Sequence, residues 1–469
     1  MSLREFLAAS RRPTDLNRTP LFLWLIFGLG FLPLVWLTPP FQVPDEAQHF
    51  FKAYQVSEGQ WRGTVQDGKA GGLVPRSLSD LALTHLGTLE IHTARAVQPR
   101  PLRKTWEGLG VPLAASERAF VNFSGAAFYS PLPYMPQAAA IALGTALDAS
   151  PLALLYAARL ANGIAALLVL AYAIRLRPVG VEGALVAALL PIALFEYASV
   201  SPDALLISSA FLFTALTLRL MSDGELDRTR AAIACLAATT FCSLKPVYAP
   251  MLFLAVPGLW RSRCSRGHLV LLSGLLVALP LCLTLGWLYW SSAVVVPVRA
   301  DIDMSAQLTF VLAQPAAFLA AAWNTLIDDK FYLTGVVGVL GWLSIKLPLA
   351  TYVLAGLSFV AATAVGARAE ERMRLIDIGV GALIVACSAT LIMLALYLYS
   401  TPVAAPRVIG VQGRYFVPLL WLVAAMLSSL APPMNAAWRQ RLFMIVLAVI
   451  TINALTTHWI IASSYSVLD

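Results

Sequence analysis

The sequence predicts an all-α integral membrane protein of about eleven transmembrane helices, with interfacial helices in two large extracytoplasmic loops. Three observations lead there. Of 469 residues, 59% are hydrophobic and only 12% charged, and the mean hydropathy is +0.75; a soluble domain is about 45–50% apolar and about 25% charged. The apolar residues fall in long blocks rather than at amphipathic spacing. The short loops between blocks alternate between Arg-rich and Arg-poor. Soluble, secreted, fibrous and disordered classes are excluded. A net charge of +8 does not point to nucleic acid, because much of the Lys and Arg lies beside apolar spans, where membrane orientation accounts for it.

Each element follows in order. Arg4, Arg11, Arg12 and Arg18 precede an apolar run over residues 21–37. That run is long for a signal-peptide core and no A-x-A-like site follows it, so it reads as a retained signal anchor. A crossing needs about 20 apolar residues at about 1.5 Å of rise each. The runs that qualify are 20–38, 152–174, 179–198, 203–221, 229–244, 246–260, 268–291, 347–366, 376–399, 415–431 and 442–461. With the N-terminus in the cytoplasm, Arg175/Arg177, Arg228/Arg230, Arg261/Arg263/Arg266, Arg368/Arg372/Arg374 and Arg439/Arg441 all face inward. The loops 39–130, 199–203, 245–246, 292–346 and 400–414 and the C-terminus are then extracytoplasmic.

The organisation is one polytopic domain over residues 1–469 with two large insertions, 39–151 and 292–346. Residues 132–147 are apolar but short, and Pro131, Pro133 and Pro136 crowd their start. Counting them as a span would turn every later Arg cluster outward, so they read as an interfacial or re-entrant helix. Residues 307–345, interrupted by Asp328, Asp329 and Lys330, read the same way. The five cysteines avoid the loop 39–130 and form no C-x-x-C, so no disulfide framework is expected.

The densest chemical signal runs from Pro39 to Phe50, PPFQVPDEAQHF. Ala47, Phe50, Phe51 and Tyr54 sit at i, i+3, i+4 and i+7, which predicts an amphipathic helix along the outer membrane surface, with Asp45 after Pro44 as its N-cap. Helix capping, dipole preference and solvation account for Asp45, Glu46 and His49 one at a time. The functional reading makes them a carboxylate pair and an imidazole at the mouth of a membrane cavity. Asp45 is then a general base, with Glu46 and His49 as metal ligands or base orienters.

Further blocks support the functional reading: Asn122-Phe123, Tyr129-Ser130-Pro131-Leu132-Pro133-Tyr134, Ser201-Pro202-Asp203, Leu244-Lys245-Pro246-Val247-Tyr248, residues 338–342, and Gln412-Gly413-Arg414-Tyr415-Phe416. With P-D-E-x-x-H-F, they resemble the bacterial membrane family known as domain of unknown function twenty-one forty-two, over almost the whole chain. That family resembles in turn the GT-C glycosyltransferases, which carry an essential acidic pair soon after the first span. The resemblance implies an inverting transfer of a sugar from a polyprenyl-phosphate carrier to an envelope acceptor, outside the bacterial cytoplasmic membrane. It implies that Asp45 takes the acceptor's proton, that Glu46 is the second acid and that Asp203 is the acid of the second outer loop. GT-C enzymes often space their acids as D-x-E, D-x-D or E-x-D; here they are adjacent, which leaves open whether a divalent metal is bound and which carboxylate is the base.

A phosphate leaving group asks for cations. Lys245 and Arg414 sit at the outer ends of spans, and Arg299 and Lys330 in the second large loop; snorkelling to headgroups is the plainer account of the first two. Tyr129, Tyr134, Tyr248, Trp342, Tyr415 and Phe416 form an outer aromatic belt, from which Tyr129 and Tyr415 are the sugar-binding candidates. Arg159, inside a span, is expected to pair with Asp148 or Glu196. His85, Glu90 and His92 read as loop residues, and Arg95, Arg100, Arg103 and Lys104 as a solvated run. No G-x-x-x-x-G-K-[ST], G-x-G-x-x-G or H-E-x-x-H occurs, so neither a nucleotide nor a redox cofactor is expected. The competing readings are a transporter or lipid flippase, which needs buried charge in several spans, and a non-catalytic envelope scaffold.

Overall fold

Proline ends the first helix. Pro39 and Pro40 have no N–H to donate and bias the residue before them away from helix, so α1 (Thr19–Leu37) stops and the chain turns. The computed structural model describes residues 19–89, 98–297, 301–328, 331–368 and 371–468. The N-terminal arginines and Glu90, His92, Arg95, Arg299, Asp329 and Lys330 lie outside the described residues.

The first insertion holds α2 (Glu46–Ser57), strands β1 (Thr64–Gln66) and β2 (Lys69–Pro75), α3 (Arg76–Leu86), α4 (Leu102–Trp106), β3 (Arg118–Asn122) and α5 (Met135–Ala146). The three strands form an antiparallel sheet in the order β1-β2-β3, with Gly71 opposite Asn122. This sheet is absent from the all-α expectation. It lies on α2: a Cβ on Gly72 would come within 2.7 Å of the Gln55 amide, so only glycine allows the approach. At 12 residues, about 18 Å long, α5 is too short to cross a bilayer. It packs along α6 instead.

The membrane body follows: α6 (Pro151–Arg175), α7 (Val181–Ala188), α8 (Pro191–Tyr197), α9 (Asp203–Asp223), α10 (Arg228–Leu244), a 3₁₀ stretch (Pro246–Ala255), α11 (Val256–Arg261), α12 (Arg266–Ser273) and α13 (Leu279–Ser291), the last two joined by a π turn. Helices α14 (Met304–Ala313) and α15 (Pro315–Asp328) meet at 106°, where Pro315 breaks the ladder. Helix α16 (Phe331–Val337) and the hairpin β4 (Val339–Leu340) and β5 (Ile345–Lys346) lead to α17 (Leu349–Val365), α18 (Leu375–Ser400), a 3₁₀ turn (Gly413–Leu419), α19 (Leu420–Leu430) and α20 (Ala436–Ser464).

The chain is therefore a mostly helical, multi-pass membrane protein. Among the described residues, six helices are long and apolar enough to cross a bilayer, or seven with the bent α14–α15 pair. Several of the other expected spans are short or interrupted for visible reasons. The run 179–198 is divided where Pro191 opens α8, and 246–260 begins as a 3₁₀ helix containing Pro246 and Pro250. Helix α6 passes α1 and the end of α8 at Gly163, where a Cβ would sit 2.7 Å from the Tyr197 carbonyl and collide with Phe31.

Contacts divide the connecting segments into two sets. In one, Arg368 pairs with Glu182 at 2.7 Å, Arg261 with Asp377 at 2.9 Å, and His268 bonds the Leu226 carbonyl at 3.0 Å. In the other, Trp342 donates to the Phe41 carbonyl at 3.0 Å and Arg62 to the Trp290 carbonyl at 2.7 Å. There too, Arg100 and Leu102 donate backbone N–H bonds to Tyr465 and Val467 at 2.6 and 3.0 Å.

Candidate functional site

The site is built on a buried ion pair. Arg159 of α6 donates from Nε and Nη2 to the two oxygens of Glu46, at 2.8 and 2.7 Å. Its remaining donors go to the carbonyls of Val35, Thr38 and Pro39 at 2.9, 2.7 and 3.1 Å. All five guanidinium N–H groups are thereby used, and the cation closes the C-terminal end of α1. Glu46 accepts in addition from the N–H groups of Val200 and Phe41, at 3.1 and 3.0 Å. Four acceptor positions, four bonds. Two expectations are corrected here: Arg159 pairs with neither Asp148 nor Glu196, and Glu46 has no lone pair left for catalysis or for a metal.

Helix α2 departs from its expected surface placement. Residues 46–56 are all buried, polar ones included. Strand β2, α5 and the turn at residues 132–134 pack on it, and its polar groups bond inward. Lys52 donates to the carbonyls of Trp61 and Ala127 at 2.7 and 3.3 Å, and burial pushes its ammonium down to about 7. Gln48 accepts from the Gly125 N–H at 2.8 Å.

Asp45 does not cap α2. Its φ of 65° is left-handed and its side chain makes no capping bond, a strained arrangement for a residue other than glycine. The turn of the backbone sends the carboxylate toward Arg414 instead, 3.6 Å away. Arg414 also bonds Glu196 at 2.7 Å and lies 3.9 Å from Asp203. Asp203 binds Lys245 at 2.6 Å, and Lys245 stands 4.8 Å from the Tyr415 ring centroid. Residues from the first loop, α8, α9, the α10 end and the 412–415 turn thus meet at one place. The Asn162 amide holds the turn before Asp203 by donating to the Ser199 and Ser201 carbonyls, at 2.8 Å each.

Exposure separates the acids. The Asp45 side chain is 36% exposed, against 9% for Asp203 and 1% for Glu196. Asp45 is the carboxylate a substrate can reach; Glu196 and Asp203 are tied to cations by short bonds. Sequence reasoning offered Glu196, or else Asp148, as the partner of Arg159; Glu196 pairs with Arg414. The signal was present, since an acid in an apolar run must find a partner. Chain separation hid which one, 218 residues from Glu196 to Arg414.

His49 Nδ1 lies 2.8 Å from the Tyr134 hydroxyl, and Tyr129 stacks on the imidazole with planes 19° apart. Burial drives both phenols well above the usual range. Burial also pushes the imidazole down to about 4, against the opposing charges of Asp45 and Asp203. His49 is therefore neutral near pH 7. Between pH 4 and 6.5 the unfolded chain binds the proton and the folded one does not, so stability rises with pH through that window and is complete above it. His49→Gln is expected to flatten this rise in unfolding midpoints measured from pH 4.5 to 7. His85, buried in α3 and also pushed to about 4 by burial, adds to the same rise. An unchanged slope would count against the buried neutral imidazole.

A metal on Glu46 does not fit, because Arg159 and two backbone N–H groups fill its oxygens; His49 turns Nδ1 to Tyr134, which leaves Nε2 as the nitrogen that could ligate one. No curated protein and no solved structure matches the chain. The family model described as a predicted membrane protein, DUF2142, matches residues 25–423 and takes in every residue of the cluster; the chain belongs to that family.

Proposed function

We propose that the protein is a GT-C-like inverting glycosyltransferase that moves a sugar from a polyprenyl-phosphate carrier to an envelope acceptor on the outer face of the bacterial cytoplasmic membrane. The observation that carries this reading is the Asp45–Arg414 pair: an accessible carboxylate released from capping, 3.6 Å from a cation that other acids hold in place. The acceptor hydroxyl gives its proton to Asp45 as its oxygen bonds to the anomeric carbon. The bond from that carbon to the carrier phosphate breaks on the opposite face, and Arg414 and Lys245 offset the charge that develops there. His49, Tyr129 and Tyr415 bound the space around the sugar. No step passes through a metal. The test is transfer from a synthetic polyprenyl-phosphate-linked sugar by the purified protein and its Asp45→Asn variant.

Arg159 spends every donor inside the protein and offers a transported ligand no open charge. The membrane arrangement proposed here has eleven crossings, a cytoplasmic N-terminus and an extracytoplasmic C-terminus. Its support is the division of connecting segments into two sets, of which the set with Glu182, Arg261 and Arg368 is the Arg-rich one. In a cysteine-free background, an impermeant maleimide applied to intact cells is expected to label Ala404→Cys and spare Arg177→Cys. The reverse pattern would invert the membrane orientation and remove the extracytoplasmic site.

A further inference from the structure

The Arg-rich connecting segments hold more cations than their acids can use. Arg368 takes both Glu182 and Glu371, at 2.7 and 2.8 Å. Asp377, buried, accepts from two nitrogens of Arg261 at 2.9 and 3.0 Å and from the Arg374 N–H at 3.3 Å. Among the described residues, Arg372, Arg374, Arg439 and Arg441 then have no carboxylate within ion-pair distance. Membrane orientation asks only that cations lie on one side. It does not account for how these are held.

Three neighbouring helix ends carry them. The Met373 N–H donates to Ser429 Oγ at 3.0 Å and Arg372 to the Ala431 carbonyl at 2.8 Å, which pins the segment leading into α18 on the C-terminal end of α19. The chain then enters α20 through Pro432 and Pro433, and the N-cap Asn435 accepts from the Trp438 N–H at 2.9 Å. The Arg441 guanidinium lies 5.5 Å from the Trp438 ring centroid. At the same ends Leu375, Ile376, Leu430 and Trp438 are 80, 65, 59 and 60% exposed. Cations beside open apolar side chains at the ends of membrane helices stand where lipid phosphates give way to acyl chains. Arginine matches phosphate oxygens two at a time. A free anion would leave the apolar side chains uncovered, and a zwitterionic lipid would bring a cation of its own to the arginines.

We propose that these helix ends form a binding surface for an anionic phospholipid, with the arginines drawing its phosphate and Leu375, Ile376 and Trp438 lying along its chains. The assignment is independent of the transferase reading; in the orientation proposed above, the leaflet is the cytoplasmic one. The probe is dioleoyl phosphatidylglycerol, titrated against the full chain in detergent and read as bound lipid by native mass spectrometry. Saturable binding is expected, about tenfold tighter than that of dioleoyl phosphatidylcholine. An excess of inorganic phosphate is expected not to displace it. Arg374 and Arg441 are exposed and hold no ion pair among the described residues, so Arg374→Gln with Arg441→Gln is expected to fold like its parent. Each of the two changes is expected to weaken phosphatidylglycerol binding about fivefold. Arg103→Gln with Lys104→Gln removes the same charge from an exposed pair in α4 and is expected to leave binding unchanged. The lipid is also expected to raise the unfolding midpoint of the parent and not that of the Arg374 and Arg441 double variant. Equal affinity for the two lipids, displacement by phosphate alone, indifference to the Arg374 and Arg441 changes, an equal loss in the α4 control or an equal rise in both midpoints each overturns the proposal.

Discussion

Asp45→Asn protein is expected to insert and fold like its parent and to lose sugar transfer by about 10²–10⁴-fold, the usual worth of a positioned general base. Folding is spared because Asp45 holds nothing together. It makes no capping bond, its nearest cation is 3.6 Å away, and its backbone is left-handed, a conformation that Asn tolerates better than most residues. The charge balance sharpens the test. Asp45, Glu196 and Asp203 face Arg414 and Lys245, and with His49 neutral the cluster carries one net negative charge. Removing the Asp45 charge eases the approach of an anionic carrier, so KM for the donor is expected to fall while kcat collapses. A variant that merely disturbed the fold would lose both binding and turnover. Wild-type rates in Asp45→Asn, measured with the polyprenyl-phosphate donor, would end the proposal.

The largest effect on stability is expected at the Glu46–Arg159 pair. Both side chains are fully buried, and breaking such a pair from one side costs about 3–5 kcal/mol, because the remaining charge stays buried without a partner. Arg159→Met strands more than a charge. The carbonyls of Val35 and Thr38 lose the donors Arg159 gives them, Pro39 keeps only the Gln42 N–H, and the Glu46 carboxylate keeps only the N–H groups of Phe41 and Val200. Unfolding midpoints of the purified protein in detergent are expected to drop sharply for Arg159→Met and for Glu46→Gln. The double change Glu46→Leu with Arg159→Met is expected to recover part of the loss and no more, since it removes the uncompensated charge and still strands the Val35 and Thr38 carbonyls and the Phe41 and Val200 N–H groups. A midpoint for Arg159→Met within a degree or two of wild type would show that the pair contributes nothing.

Composition and block length made the membrane class legible, and proline punctuation marked the short helix after residue 131; the bend at Pro315 went unread. The P-D-E-x-x-H-F and Q-G-R-Y-F blocks marked two strands of the site, which the structure brings to 3.6 Å. What the sequence hid were partnerships. Local periodicity in α2 reports which residues are apolar, and it says nothing of whether another layer of protein covers the polar face. It therefore could not show that Lys52 and Gln48 are buried. Nor could spacing separate Asp45 from Glu46: adjacent acids point to opposite sides of one turn, one to Arg414 and the other to Arg159. The three-stranded sheet was equally invisible, because Lys69–Pro75 is rich in glycine and carries no clean alternation.

The contacts that assemble the cluster join stretches made at very different times during synthesis. Phe41 and Trp342 are 301 residues apart, Glu196 and Arg414 are 218, and the backbone of Arg100 meets that of Tyr465. A nascent chain thus inserts Glu196 well before the ribosome has supplied the arginine that neutralises it. Until then that acid must stay protonated, borrow another counter-ion or sit at the lipid–water boundary. Chains stalled in that interval therefore carry an acid in apolar surroundings that finished ones hold paired.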